Sequence, residues 1–338
     1  MPVRVVNAEE SAALDAAAIA SGIPSRALMR AAAFNAAAVV CARYADQLRR
    51  GVLICTGAGN NGGDGWALAS ALDAAGVSVR VREVAASKTP DAIAERDIAS
   101  RLSGATGTAA GVIIDALLGT GSTGALGGAL LDAARDMALA RTMGSIVIAL
   151  DLPSGVHATH GATPESVVAD CTISFGSCKR GSLISRAECG EILVLDIGLG
   201  ATPTSLPFLV DAEFVRTSVP PIAPDAHKGT RKSVAVVAGA ENMGGAAILA
   251  ATGAMRSGAG LVQVMTASAN VSSMHTRIPE ALVGSLENAS SIIRHWADVV
   301  LIGPGLRDDD EPRSFVRDVL AKWRGPVVVA AGAISAFD

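Results

Sequence analysis

Aromatic side chains are nearly missing from this chain: Phe, Tyr and Trp together make up 3% of 338 residues. Half of the residues are hydrophobic, so the core has to be built from Ala, Val, Leu and Ile. Excess charge is also missing. A net charge of −4 gives no reason to expect nucleic acid or an acidic membrane surface as a partner. No apolar run approaches the roughly 20 residues of a spanning helix, and the N-terminus lacks a basic-then-apolar secretory pattern. The chain is therefore expected to be soluble and cytoplasmic. No Cys-x-x-Cys occurs. Cys41, Cys55, Cys171, Cys178 and Cys189 are scattered and odd in number, which predicts free, mostly buried thiols. His157 and His160 have a metal-compatible spacing but lie in a Gly/Thr/Pro-rich stretch, which predicts a solvated loop.

What is present is alternation. Apolar strand-like runs at Val52–Thr56, Val77–Val84, Val112–Asp115, Ile146–Asp151, Cys171–Phe175 and Ile192–Asp196 are separated by helix-like segments at Ala8–Ala20, Ser25–Tyr44, Gly63–Ala75, Asp91–Leu102 and Ala129–Met143. Continuous apolar runs suit strands covered on both faces. The pattern predicts a doubly wound, mostly parallel, Rossmann-like α/β domain over residues 1–205. Residues 206–224, which include Pro220-Pro221, read as a linker. Strands at Val234–Ala238, Leu261–Thr266, Val299–Ile302 and Val327–Ala330, a turn at Gly244-Gly245 and a helix at Ala246–Met255 predict a second α/β domain over 225–338. The sequence stops just after a strand, so this domain is expected to be partial.

The most informative segment runs from Gly57 to Gly65: Gly-Ala-Gly-Asn-Asn-Gly-Gly-Asp-Gly. It follows an apolar strand and precedes a helical pattern, which predicts a Gly-rich turn that lets backbone approach a ligand. It lacks the Gly-Lys-Ser/Thr ending of a nucleoside-triphosphate loop. Its Gly57-x-Gly59-x-x-Gly62 spacing is only a loose dinucleotide pattern, with Glu83 the sole acidic candidate downstream. Three more loops follow predicted strands: Asp115 to Gly124, Asp151 to Gly155 and Phe175 to Gly181. Strand carboxyl ends are where open α/β sheets bind ligands. Asp115 and Asp151 could alternatively do no more than cap the turns that follow them.

Taken together and in order, Asn60-Asn61-Gly62-Gly63-Asp64-Gly65, Asp115-Ala116-Leu117-Leu118-Gly119-Thr120-Gly121, Asp151-Leu152-Pro153-Ser154-Gly155 and Phe175-x-x-x-Lys179-x-Gly181 resemble the motifs of NAD(P)H-hydrate epimerases. Ser21-Gly22-Ile23-Pro24 with Leu28-Met29, and Asp196-Ile197-Gly198, resemble that family's flanking elements, so the likeness covers roughly residues 1–200. The resemblance implies NADH or NADPH hydrate as substrate, with interconversion of the R and S epimers at the hydrated carbon. It implies that Asn60, Asn61, Gly62, Gly63 and Asp64, the stretch Gly119, Thr120, Gly121, Ser122, Thr123, Gly124 and Ala125, and Asp151 surround the nucleotide. A potassium ion would be held by Asn61, Asp115 and Ser154, hard oxygen ligands suited to such a cation. Epimerisation at a carbon bearing oxygen and nitrogen, by loss and return of the hydroxyl or by ring opening, needs a proton donor and acceptor. Asp115, Asp151 and Lys179 are the candidates, Asp115 first. The resemblance also implies a homo-oligomer.

In the second half, His227-Lys228-Gly229-Thr230, Gly239, Gly244-Gly245-Ala246-Ala247, Ala254 to Val262 and Ile302-Gly303-Pro304-Gly305-Leu306 resemble the start of ADP- or ATP-dependent NAD(P)H-hydrate dehydratases, which have a ribokinase-like fold. Gly305 would line a nucleotide-hydrate pocket. Lys232 stands where that family usually has Gly, Ala330 where its strand usually ends in Asp, and the family's downstream Gly-Asp segment has no counterpart in these residues. Dehydration, with ADP or ATP and magnesium, is therefore not expected of this chain alone. The acidic run Asp308 to Glu311 reads as a solvated helix start. Two other readings compete with the enzyme: a non-catalytic, dimerising interaction module of the same fold, and a truncated, aggregation-prone product.

Overall fold

The computed structural model describes residues 3–103, 109–307 and 310–337, with no side-chain description for 310–312. The acidic run Asp308 to Glu311 thus lies outside the described residues or side chains. Two compact units divide between Val219 and Pro220, inside the stretch expected to connect domains.

The first unit holds a six-stranded sheet. Its strands are β1 (Val52–Thr56), β2 (Val79–Glu83), β3 (Val112–Ala116), β4 (Ile146–Leu150), β5 (Cys171–Phe175) and β6 (Glu191–Leu195). They run parallel in the order β6-β5-β4-β3-β1-β2. Every residue of β1, β3 and β5 is buried, as their unbroken apolar runs require of strands covered on both faces. At the edge, β2 alternates buried Val79 and Val81 with partly exposed Arg80 and Arg82. The chain moves outward from β1 to β2 and then returns past it to β3. The connections that leave β1 and β3 therefore diverge in opposite directions along the sheet, the point at which such sheets hold a crevice at their carboxyl ends.

Helices α1 (Ala8–Ala20), α2 (Ser25–Arg43), α3 (Asn60–Ala74), α4 (Pro90–Ala99) and α5 (Gly128–Thr142) accompany the sheet. Alanine and glycine set their spacing. Ala32, Ala33, Ala36 and Ala37 of α2 join Trp66, Leu68 and Leu72 of α3 in one core cluster. The expectation of a turn reaching to Asp64 needs correction: the helix already begins at Asn60. A Cβ on Gly63 would fall 2.6 Å from the Met29 methyl and 3.0 Å from Ala92 Cα, and one on Gly62 2.0 Å from the Gly57 carbonyl oxygen. These glycines admit neighbouring backbone and side chains, and that close packing offsets their poor helix propensity.

The second unit is a five-stranded parallel sheet in the order Leu282–Ser285, Leu261–Thr266, Ser233–Val237, Val299–Ile302, Val327–Val329. Leu282–Ser285 was not expected; four residues with a glycine among them carry little strand signal. The segment after Met243 also differs from expectation, because Gly244 starts the helix Gly244–Arg256. Lys232 reaches an exposed ion pair with Asp298 at 3.0 Å.

Candidate active site at the sheet's carboxyl edge

A cavity of about 570 Å³ opens where the chain parts between β1 and β3, a size usual for small-molecule sites. Gly59, Asn60, Asn61 and Asp64 line it from the start of α3, and Leu117 to Ser122 from the loop after β3. Asp151, Phe175 and Lys179 come from the loops after β4 and β5. Ser11, Asp15 and Ile19 of α1, Ser25, Leu28, Met29 and Ala32 of α2, Asp91 of α4, and Thr89 and Ile197 also line it.

The loops are held by specific bonds. A Cβ on Gly57 would meet the Leu117 carbonyl oxygen at 1.9 Å, and Gly57 N donates to Ala116 O at 3.0 Å, so only glycine lets the two loops run this close. Asn61 Nδ2 donates to Leu118 O at 2.8 Å. Its Oδ1 is buried and has no hydrogen-bond partner, a costly state for an amide oxygen unless a ligand, water or cation meets it.

Asp115 and Ser154 form a second layer behind the cavity. Asp115 is fully buried and accepts from Leu117 N at 3.1 Å, Ser154 N at 2.7 Å and Ser154 Oγ at 2.7 Å. Burial pushes the carboxyl above its ordinary value, while those three donors pull it back. Ser154 Oγ in turn accepts from Leu118 N at 3.0 Å. Asp115, expected to face the ligand, instead ties the loop after β3 to the loop after β4 and does not line the cavity.

Asp151 does face it. Its backbone sits at φ 64°, a left-handed conformation that Asp tolerates better than most residues. Its N–H donates to Ile173 O at 2.7 Å, and its Oδ1 accepts from Phe175 N at 3.3 Å and from Lys179 Nζ. The remaining Lys179 hydrogens go to Phe175 O at 2.8 Å and Ser177 O at 3.2 Å. All three ammonium hydrogens are thus engaged, and Lys179 matches a single carboxylate.

Three further carboxyls line this cavity: Asp91, which accepts from Ser25 Oγ, and Asp64 and Asp15, which both feel Asp151. Asp64 is pushed well above the usual carboxylate range, first by burial, then by Asp151 and Asp15, with Lys179 opposing. Asp15 is raised by burial and by Asp151, again against Lys179, although its exposure to solvent screens the effect. Sequence reasoning missed Asp15: one Asp in an Ala-rich helix carries no local signal.

Of the other expected residues, Asn60, Gly119, Thr120, Gly121 and Ser122 line the cavity, whereas Gly62, Gly63, Thr123, Gly124 and Ala125 do not. Gly305 belongs to the second unit, where its carbonyl accepts from Ala240 N at 2.8 Å and a Cβ would meet Ala246 at 2.7 Å. His157 and His160 stack at 4.9 Å. His157 Nδ1 accepts from Thr159 N at 3.0 Å, which binds it within its loop. No metal-ligating cluster of His, Cys, Asp and Glu occurs among the described residues.

A family of YjeF-related protein N-termini matches residues 25–181, and the NAD(P)H-hydrate dehydratase family matches residues 234–338. The bifunctional NAD(P)H-hydrate repair enzyme Nnr of Thermanaerovibrio acidaminovorans is 30% identical over 98% of this chain and 70% of its own length. This chain belongs to the bifunctional NAD(P)H-hydrate repair enzyme family. Another member, Nnr of Escherichia coli (strain K12), is 32% identical over 89% of this chain, which spans 61% of that relative's length. Yeast ynu0 shares the fold, with a TM-score of 0.52 at 19% identity, covering 62% of this chain and 97% of the yeast chain. The parallel sheets described above make the α/β fold that the sequence pattern predicted. No helix among the described residues is long and apolar enough to cross a membrane.

Proposed function

We propose that the first unit epimerises R- and S-NAD(P)H hydrate in the cavity at the carboxyl ends of β1 and β3. The observation that carries this reading is the Asp151–Lys179 pair on the cavity wall beside a second, unpaired carboxyl, Asp64. Two carboxyls in unlike surroundings are the arrangement that divides acid from base.

The chemistry balances with these two groups. Asp64, whose carboxyl is raised above its ordinary value by burial, gives its proton to the hydroxyl, the carbon–oxygen bond breaks, and the ring nitrogen's lone pair relieves the electron-poor carbon. Water then adds to the other face and its proton passes to Asp151. The reverse direction exchanges the roles, and solvent protons reset the pair. Asp151 and Asp64 thus take the proton-transfer role that sequence alone gave first to Asp115. Asp115 instead fixes the two loops, and Lys179 orients Asp151.

The unpartnered Asn61 Oδ1, with Asp115 and Ser154 nearby in the same hydrogen-bonded loop set, supports a potassium site built from these oxygens. When bound, the ion would supply positive charge at a wall otherwise rich in carboxylates.

We assign residues 220–338 no dehydration of their own, because Ala330 stands at a strand end where the resemblance calls for Asp. The test mixes the purified chain with the R epimer and an independent S-specific dehydratase. Faster cofactor recovery than with the dehydratase alone is expected, and an unchanged rate rejects epimerisation. Recovery by the chain itself with ADP or ATP would reject the restriction on its second unit.

A further inference from the structure

The residues that hold Lys179 in place extend well beyond its own loop. Cys178–Lys179 forms a short parallel pair with Val5–Val6, and Cys178 N donates to Arg4 O at 2.8 Å. The opposite edge of that N-terminal strand is taken by residues just before the second unit. Val5 N donates to Pro207 O at 2.8 Å, and Leu209 N donates to Val3 O at 2.7 Å. Arg4 and Phe208 form an antiparallel bridge between them. Residues 3–6 are thus the middle strand of a small ribbon, with Lys179 on one side and 207–209 on the other.

Arg4 fastens the outer side. Its guanidinium donates to Leu206 O at 2.9 Å and Thr204 O at 3.4 Å and lies 6.0 Å from the Phe208 ring centre. Phe208 packs on Phe214 at 4.7 Å, in the helix Ala212–Ser218. The same N-terminal strand leads through the Asn7 capping box, in which Asn7 Oδ1 accepts from Glu10 N at 2.8 Å, into α1, which carries Asp15 to the cavity. A two-residue strand pair is marginal by itself, so the second side of the ribbon decides how firmly the first is held.

We propose that Arg4 is a positioning residue for Lys179: by pinning residues 204–209 against residues 3–6, it fixes the strand on which the lysine and its Asp151 partner depend. The inference rests on the role given above to the Asp151–Lys179 pair. It also makes the chain that leads to the second unit a structural part of the first unit's site.

The test uses the full chain with Arg4→Ala, and with Arg4→Lys as a variant that keeps the charge and one donor. In Arg4→Ala, the rate of epimer exchange at saturating substrate should fall by about 10²-fold, the scale on which groups misplaced by a remote change lose rate, with KM little changed. Arg4→Lys should recover part of the loss. Amide exchange at Cys178 should quicken, and the Lys179 ammonium NMR signal should shift. A lowered melting temperature with normal saturated rate and an unmoved Lys179 signal would overturn the proposal by making Arg4 merely structural. If the wild-type chain shows no epimer exchange, the functional reading fails, while the Lys179 signal in Arg4→Ala still decides the positioning claim: a shift supports it and an unmoved signal rejects it.

Discussion

Lys179 meets Asp151 from inside the protein, with 2% of the lysine side chain and 13% of the aspartate side chain exposed. A pair this dry is held by geometry, and removing one member leaves the other's charge without its partner. Lys179→Ala is therefore expected to cost about 3–5 kcal/mol of stability, read from the denaturant midpoint, and to abolish epimer exchange. Asp151→Asn removes the carboxylate charge and its capacity to take a proton, but keeps the shape and an oxygen that still accepts from Phe175 N and Lys179 Nζ, and should lower exchange by about 10²–10⁴-fold while costing less stability.

Asp64 gives a pH-dependent prediction. Its folded value lies above the ordinary 3.8, so the folded chain holds that proton more tightly than the unfolded one. The stability this brings is complete below the unfolded value and is lost as pH rises through the folded one. Asp64→Asn, which mimics the protonated state, should melt above wild type at neutral pH and level with it near pH 3, yet be inactive. Equal melting curves at neutral pH would remove the argument that Asp64 is strained there.

Asn61 tests the cation. Wild-type exchange should quicken when potassium replaces lithium at fixed ionic strength, and Asn61→Ala should lose that response. A wild-type rate indifferent to the ion would remove potassium from the site.

Asp115→Ala should act differently from Asp151→Asn. It strips three donors of their acceptor in a fully buried position, at about 1–3 kcal/mol for each group left unsatisfied. Chemical denaturation should show a large loss of stability alongside any loss of activity. Full stability with no activity would instead return Asp115 to the chemistry.

The sheet was readable from sequence because strands covered on both faces must be apolar throughout, as Val52–Thr56 and Cys171–Phe175 are. Asp151 and Lys179 were readable because they sit at fixed distances after such strands. The helix start at Asn60 was not. Glycines lower helix propensity locally, and only Met29 and Ala92, distant in sequence, show why they are tolerated. Asp15 and the outward or inward aim of Asp115 were hidden for a related reason. Which face of a loop looks into a cavity is decided by elements that meet only after folding.

Gly57, Gly62 and Gly63 answer to their neighbours' backbone and to Met29 before they answer to any ligand. A descendant that had abandoned catalysis would still have to keep them or lose its helix. Surveys that transfer enzyme activity on the glycine string will therefore credit scaffolds and catalysts alike. The discriminating record is the set that packing does not demand: the unpartnered amide oxygen of Asn61, the unpaired carboxyl of Asp64, and the Asp151–Lys179 ion pair on the cavity wall.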